Sequence, residues 1–115
     1  MSTNNQIPFL PLGETIVVAA AAVAPAGIQA LATQNFGQAG QYRVVNAGTS
    51  TVFLGVGSTA AVAQASAVAP VAGNPSPAIP IVPGAVEILR FGEEIYFSGL
   101  AAAATTLYIT PGQGL

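Results

Sequence analysis

The sequence contains no Asp, Lys, His, Cys or Trp, and only two Arg and four Glu are spread over 115 residues. Each absence closes off a class of chemistry. Without His, Cys, Asp or Lys, the usual acid–base, nucleophilic and metal-ligand sets cannot be assembled. No catalytic residue, metal site or cofactor is therefore expected. A carboxylate pair made from Glu87 with Glu93 or Glu94 is the remaining enzymatic constellation. Glu93 and Glu94 are adjacent, so they point apart along a strand, and beside Gly92 they read as solvated turn residues. "GVGSTA" and "GQAGQ" lack the spacing and the lysine of a phosphate loop. The chain is read as a non-enzyme.

The lack of cysteine rules out a disulfide staple and leaves the redox compartment open. A formal net charge of −2, with two separated arginines, excludes nucleic acid held by its phosphates. The mean hydropathy of +0.65 raises the question of a membrane span. The candidate, Thr15 to Ala32, owes its score to alanine and is interrupted by Pro25, Gly27 and Gln29. A span needs about 20 strongly apolar residues and flanking Lys or Arg to orient it. No membrane insertion is expected. The start "MSTNNQIPF" lacks the basic and apolar regions of an export signal, so none is expected there either.

What is present points to a folded, self-associating β protein. Charged residues make up 5% of the chain and hydrophobic ones 52%, the reverse of a disordered composition. So little charge offers little resistance to association. The 13 glycines and nine prolines leave few stretches long enough for a helix. Residues 1–12 read as an extended arm, and 13–115 as one β-sandwich domain. Pro8 and Pro11 favour extended geometry in the arm. Its Ile7, Phe9, Leu10 and Leu12 would each gain roughly 1.5–3 kcal/mol on full burial, so they are expected to dock on the body or on another subunit.

In the body, "QYRVVNAGTSTVFLGVG" reads as a hairpin of Tyr42–Val45 and Thr51–Val56 around a turn cluster. "AVEILRF", "EIYFSG" and "TTLYITPG" are three further strands, and "TIVVAAAAV" and "IQALATQ" two early ones whose alanines also permit a helix. Ser58–Pro70 is not assigned a strand and is open to a short helix, and "VAGNPSPAIPIVPG" reads as a proline-dense loop crossing between sheets. "IPFLPLGETIVV" and "IPIVPGAVEIL" echo one another and suggest two crossovers entering two facing sheets.

Alternate residues of a strand face opposite ways. Val86, Ile88 and Arg90 share one face of "AVEILRF", and Ala85, Glu87, Leu89 and Phe91 the other. Glu87 and Arg90 should therefore not pair. Val52, Leu54 and Val56 oppose Phe53, Leu107 and Ile109 oppose Tyr108, and Ile95 and Phe97 oppose Tyr96. One face of each strand goes to the core. The outward aromatics Phe53, Tyr96 and Tyr108, together with Ile7, Phe9, Leu10 and Leu12, are the candidate partner-binding residues, because interface cores enrich aromatics and exclude charge.

An Ala/Val/Gly-rich β body, "PIVPGAVEILRFGEEIYFSGLA" and a terminal "TTLYITPGQGL" together resemble the jelly-roll capsid cement, or decoration, proteins of tailed bacteriophages. The resemblance implies an all-β antiparallel sandwich, jelly-roll-like, with an extended N-terminal arm. It implies a non-enzymatic protein made in the host cytoplasm. Its place would be the outer surface of the virion capsid, bridging major capsid protein subunits and stiffening the shell. It further implies self-association as a homodimer or homotrimer. The alternative is a particle-displayed module, such as a head-fibre or tail-associated domain, that binds a host-surface glycan. The lack of Asp and Trp weighs against it.

Overall fold

A computed structural model describes residues 9–30, 40–91 and 95–113. In chain order the elements are β1 (Leu10–Pro11), β2 (Ile16–Ala20), β3 (Ile28–Gln29), β4 (Gln41–Asn46), β5 (Val52–Gly57), α1 (Ala60–Ser66), β6 (Ile79–Ile81), β7 (Val86–Arg90), β8 (Tyr96–Ala101) and β9 (Thr105–Gln113). They form an all-β sandwich of two antiparallel sheets with one short helix. The first sheet runs β2-β9-β4-β7, with β1 beside β2 on the same side of β9; the second runs β3-β8-β5-β6.

The pairing is nested. β2 lies against β9, β3 against β8, β4 against β7 and β5 against β6, every pair antiparallel. The first half of the chain thus runs beside the second half in reverse order, and successive pairs fall alternately in the two sheets.

Alternation builds the core. Val18, Ala20, Tyr42, Val44, Leu107 and Ile109 of the first sheet meet Val52, Leu54, Ile81, Phe97 and Ala101 of the second. Tyr42 and Phe97 pack edge to face across the layers, with ring centroids 5.0 Å apart, and Phe91 joins Phe97 at 5.8 Å. Such edge-on geometry sets the positive rim of one ring against the negative face of the other.

The expected hairpin at 42–56 does not form. β4 belongs to the first sheet and β5 to the second, so residues 47–51 arch from one layer to the other. Buried Asn46 holds the arch. Its Nδ2 donates to the carbonyls of Ser50 and Ile81, both at 2.9 Å, while its Oδ1 accepts from the Gly48 amide at 2.9 Å. Its own amide donates to Ala85 O and its carbonyl accepts from Gly84, both at 3.0 Å. One residue therefore ties the β4–β5 crossing to the β6–β7 crossing. Turn composition marks a reversal equally well whether the next strand pairs with the last or crosses away from it. The bonds of Asn46 decide for crossing.

The proline-rich segment does cross between sheets, but it carries a strand of its own, β6, which pairs with β5. Pro80 is tolerated there because β6 is an edge strand, where one side of the backbone needs no ladder bond. The crossing ends in the turn Val82-Pro83-Gly84-Ala85, closed by Ala85 N–H to Val82 O at 3.1 Å. Gly84 has φ 79°, the left-handed geometry required at the third position of a type II turn after proline. The two echoing segments lead into β2 and β7, which lie on opposite sides of the same sheet and not in two facing sheets.

The Ser58–Pro70 stretch holds helix α1. Thr59 caps it, its hydroxyl accepting from the Val62 amide at 3.2 Å.

Candidate functional site

The outer faces of the two sheets differ. On the first sheet, register aligns Val17, Tyr108, Val45 and Val86 in one row straight across β2, β9, β4 and β7. Val17 is 49%, Tyr108 41% and Val86 51% exposed, and Ile88 in the next row is 37% exposed. That next row is completed by Thr110 and Arg43, in register with Ile88, and by Thr15, whose Oγ1 lies 2.6 Å from Thr110 Oγ1. Arg90 lies one row further, opposite Gln41. Both arginines of the chain therefore belong to this face. Among the described residues no helix lies over it.

On the second sheet α1 covers the outer face of β5 and β8. It sits on two glycines: a Cβ at Gly55 would overlap the Ala63 carbonyl and the Ala67 amide, and one at Gly57 would overlap Val62. Polar bonds fasten the cover. Gln64 Nε2 donates to the Ala24 carbonyl at 2.8 Å, the Gly27 amide to Ala60 O at 3.2 Å, and Ser98 Oγ to Pro25 O at 2.6 Å.

The three outward aromatics accordingly do not form one surface. Tyr108 stands on the open face. Phe53 and Tyr96 stand on the covered sheet, both half-buried, at opposite ends of β5, since Phe53 is in register with Leu100 and Tyr96 with Gly57. Four residues along a strand separate them by about 13 Å. Phe53 lines a small apolar pocket of about 270 Å³ with Ala22, Ala69 and Leu100. Phe97, on the inner side of β8, is fully buried.

The described part of the arm docks on its own body. β1 pairs with the end of β9, Leu10 opposite Gln113 and Pro11 opposite Gly112. Leu12 donates its amide to Pro111 O at 2.9 Å and is buried, so it serves the fold and is not available to a partner. Leu10 is exposed, and Phe9 is half-buried with its ring over Gly112, where a Cβ would overlap it. Ile7 lies outside the described residues, as do Glu93 and Glu94.

Glu87 and Arg90 fall on opposite faces of β7, as alternation requires. Glu87 points to the core side yet is exposed, because β7 is the edge of its sheet. An inward-aimed charge at an edge discourages a further strand from adding there. Val17 and Val45 were missed as surface residues by sequence reasoning. The signal was their place beside the buried Val18 and Val44, but only register shows that they line up with Tyr108. Among the described residues no group of three or more His, Cys, Asp or Glu comes together, and no helix is long and apolar enough to cross a membrane.

No family model, no curated protein and no solved structure matches the chain.

Proposed function

We propose that this protein is a structural virion component that docks through the open face of its first sheet onto a protein shell, as capsid decoration proteins do, and stabilises that shell by bridging its subunits. The observation that carries the proposal is the outward apolar row Val17–Tyr108–Val45–Val86, exposed except at half-buried Val45 and extended by exposed Ile88. Isolated surface hydrophobes are ordinary, whereas a contiguous row across four strands is the composition of an interface core. Supporting it is the nested strand pairing, the order an antiparallel ribbon takes when wound into a jelly roll, an architecture common in viral shells. That support is analogy of fold, since a fold alone does not dictate a function. The near absence of charge suits a protein held in many copies by apolar contact.

The test is co-sedimentation with expanded shells assembled from the major capsid protein of the genome that encodes this chain. Expected is saturable binding to shells, and a higher temperature for their thermal disruption once decorated. Protein that stays in the supernatant, or a genome without a capsid gene, overturns the proposal. Binding to host polysaccharide in place of shells would select the glycan module instead.

A further inference from the structure

We infer that the cleft beside the β1–β2 bulge is a receptor for one carboxylate side chain, Glu or Asp, presented by a protein partner. The inference rests on the docking proposal only in taking the partner to be protein. Leu12 bonds to Pro111 and Ile16 pairs with Ile109, so Gly13, Glu14 and Thr15 all stand opposite Thr110 alone. The extra residues bow the edge strand away from β9, as bulges at sheet edges do. The bow opens a cleft of about 410 Å³ lined by Phe9, Pro11, Gly13, Thr15, Arg43 and Thr110.

The lining matches a carboxylate on a short apolar stem. Arg43 is exposed, and no carboxylate among the described residues pairs with it. Its guanidinium offers a planar fork of N–H donors suited to two carboxylate oxygens. The Thr15 and Thr110 hydroxyls, 2.6 Å apart, share one hydrogen between them and so retain one O–H to donate outward. Phe9 and Pro11 supply apolar walls for the methylene stem. Glu14 is exposed and does not line the cleft, which leaves Arg43 as the only charged group in its described wall.

Charge and continuity select the source of the carboxylate. Both arginines lie on this face, while Glu87 is turned to the other side of β7, so the described strand residues of β2, β9, β4 and β7 carry only positive charge there, which suits an acidic partner. The row next to Thr15, Thr110 and Arg43 holds three valines and a tyrosine, which suits the apolar flanks of a peptide. A sugar acid would instead bring several hydroxyls to a cleft with one O–H to answer them.

The experiment is an NMR titration of the isotope-labelled full chain with three probes: N-acetyl-Val-Glu-Val amide, the same peptide with Gln for Glu, and glucuronate. The Glu peptide is expected to shift the amide resonances of Thr15, Arg43 and Thr110 saturably. The Gln peptide should bind at least about tenfold more weakly, the loss of one charge-assisted contact. Arg43→Gln should impose the same loss on the Glu peptide with thermal unfolding unchanged, and Glu87→Gln should leave binding within about twofold. Equal binding of the Glu and Gln peptides overturns the inference, as does glucuronate binding as tightly as the Glu peptide. So does the absence of saturable shifts at millimolar peptide. Shell binding separates the two proposals. If wild type and Arg43→Gln decorate shells equally, the cleft has no such role and the docking proposal stands; if the Glu peptide binds and shells do not, the reverse holds.

Discussion

The outer faces of the two sheets arise from the same alternation of residues, yet one is roofed and the other open. β5 places Phe53, Gly55 and Gly57 outward, and β9 places Thr106, Tyr108 and Thr110 outward. On β5 the two glycines leave a trough into which α1 settles. On β9 and its neighbours the outward residues have full side chains, Val17, Val45, Val86, Ile88 and Tyr108, and no helix among the described residues sits on them. Glycine on a strand removes the side chains that would hold a helix away. A row of β-branched and aromatic residues presents a flat apolar surface that another molecule can cover.

Several substitutions would break or sharpen this contrast. The largest effect belongs beneath both faces. Phe97→Ala removes a fully buried ring in contact with Tyr42 and Phe91 and should cost about 3–5 kcal/mol in denaturant unfolding. A loss below about 1 kcal/mol would mean that the inner and outer sides of β8 have been exchanged, with Tyr96 as the core residue.

Next comes Asn46→Ala, expected to cost about 2–4 kcal/mol, because the Ser50 and Ile81 carbonyls and the Gly48 amide lose their partner in a buried arch. Hydrogen exchange should then rise together at the 47–51 and 82–85 segments. Exchange confined to one of them would show that the two crossings are not joined through Asn46.

Gly55→Ala tests the roof. The added methyl overlaps the helix backbone, so a loss of about 1–3 kcal/mol is expected, with greater protease access at Ser58–Pro70. An unchanged midpoint would mean that α1 can move off the sheet at no cost.

Tyr108→Ser reads the open face. Stability should change by no more than about 0.5 kcal/mol, since the ring is partly in water, while shell binding should weaken by about 2 kcal/mol if Tyr108 is an anchor of the interface. Phe53→Ser, on the covered sheet, should leave shell binding intact. The reverse pattern would move the interface to the other side of the molecule.

Salt should have the smallest effect. One or two exposed ion pairs contribute about 0–1 kcal/mol each, so moderate salt alone should not release the protein from shells. Release by salt would make the contact electrostatic, and the apolar row incidental.

How far the fold could be read differs from strand to strand. β9 and β8 were legible because β-branched and aromatic residues are dense in Thr105–Thr110 and Ile95–Phe97, and the buried residues Leu107, Ile109 and Phe97 are large. β6 was hidden because a proline inside a short apolar run argues against a strand. Ile79 and Ile81 flank Pro80 in a segment dense in turn residues, and only an edge position makes that acceptable. The candidate site was legible in part. Tyr108 was assigned an outward side, and Val86 and Ile88 were placed on one face without its direction, whereas the grouping of Tyr108 with Phe53 and Tyr96 assumed one contact surface where the three stand on two sheets.

The amino-acid sequence by itself determined which residues of each strand share a face, because the two-residue period of a strand is local and needs no partner to express it. It also determined the reach of possible chemistry, since residues that are absent can form no site. Which strands pair, which layer each joins, and which outer face is roofed were decided only in the tertiary structure. Those outcomes depend on contacts between residues far apart in the chain: Asn46 with Ile81, Gly55 with Ala63 and Ala67 once β5 has found β8, and Val17 with Val86 through Tyr108 and Val45. No local pattern encodes them, because their strength comes from burial and bonding that exist only after the two sheets have met.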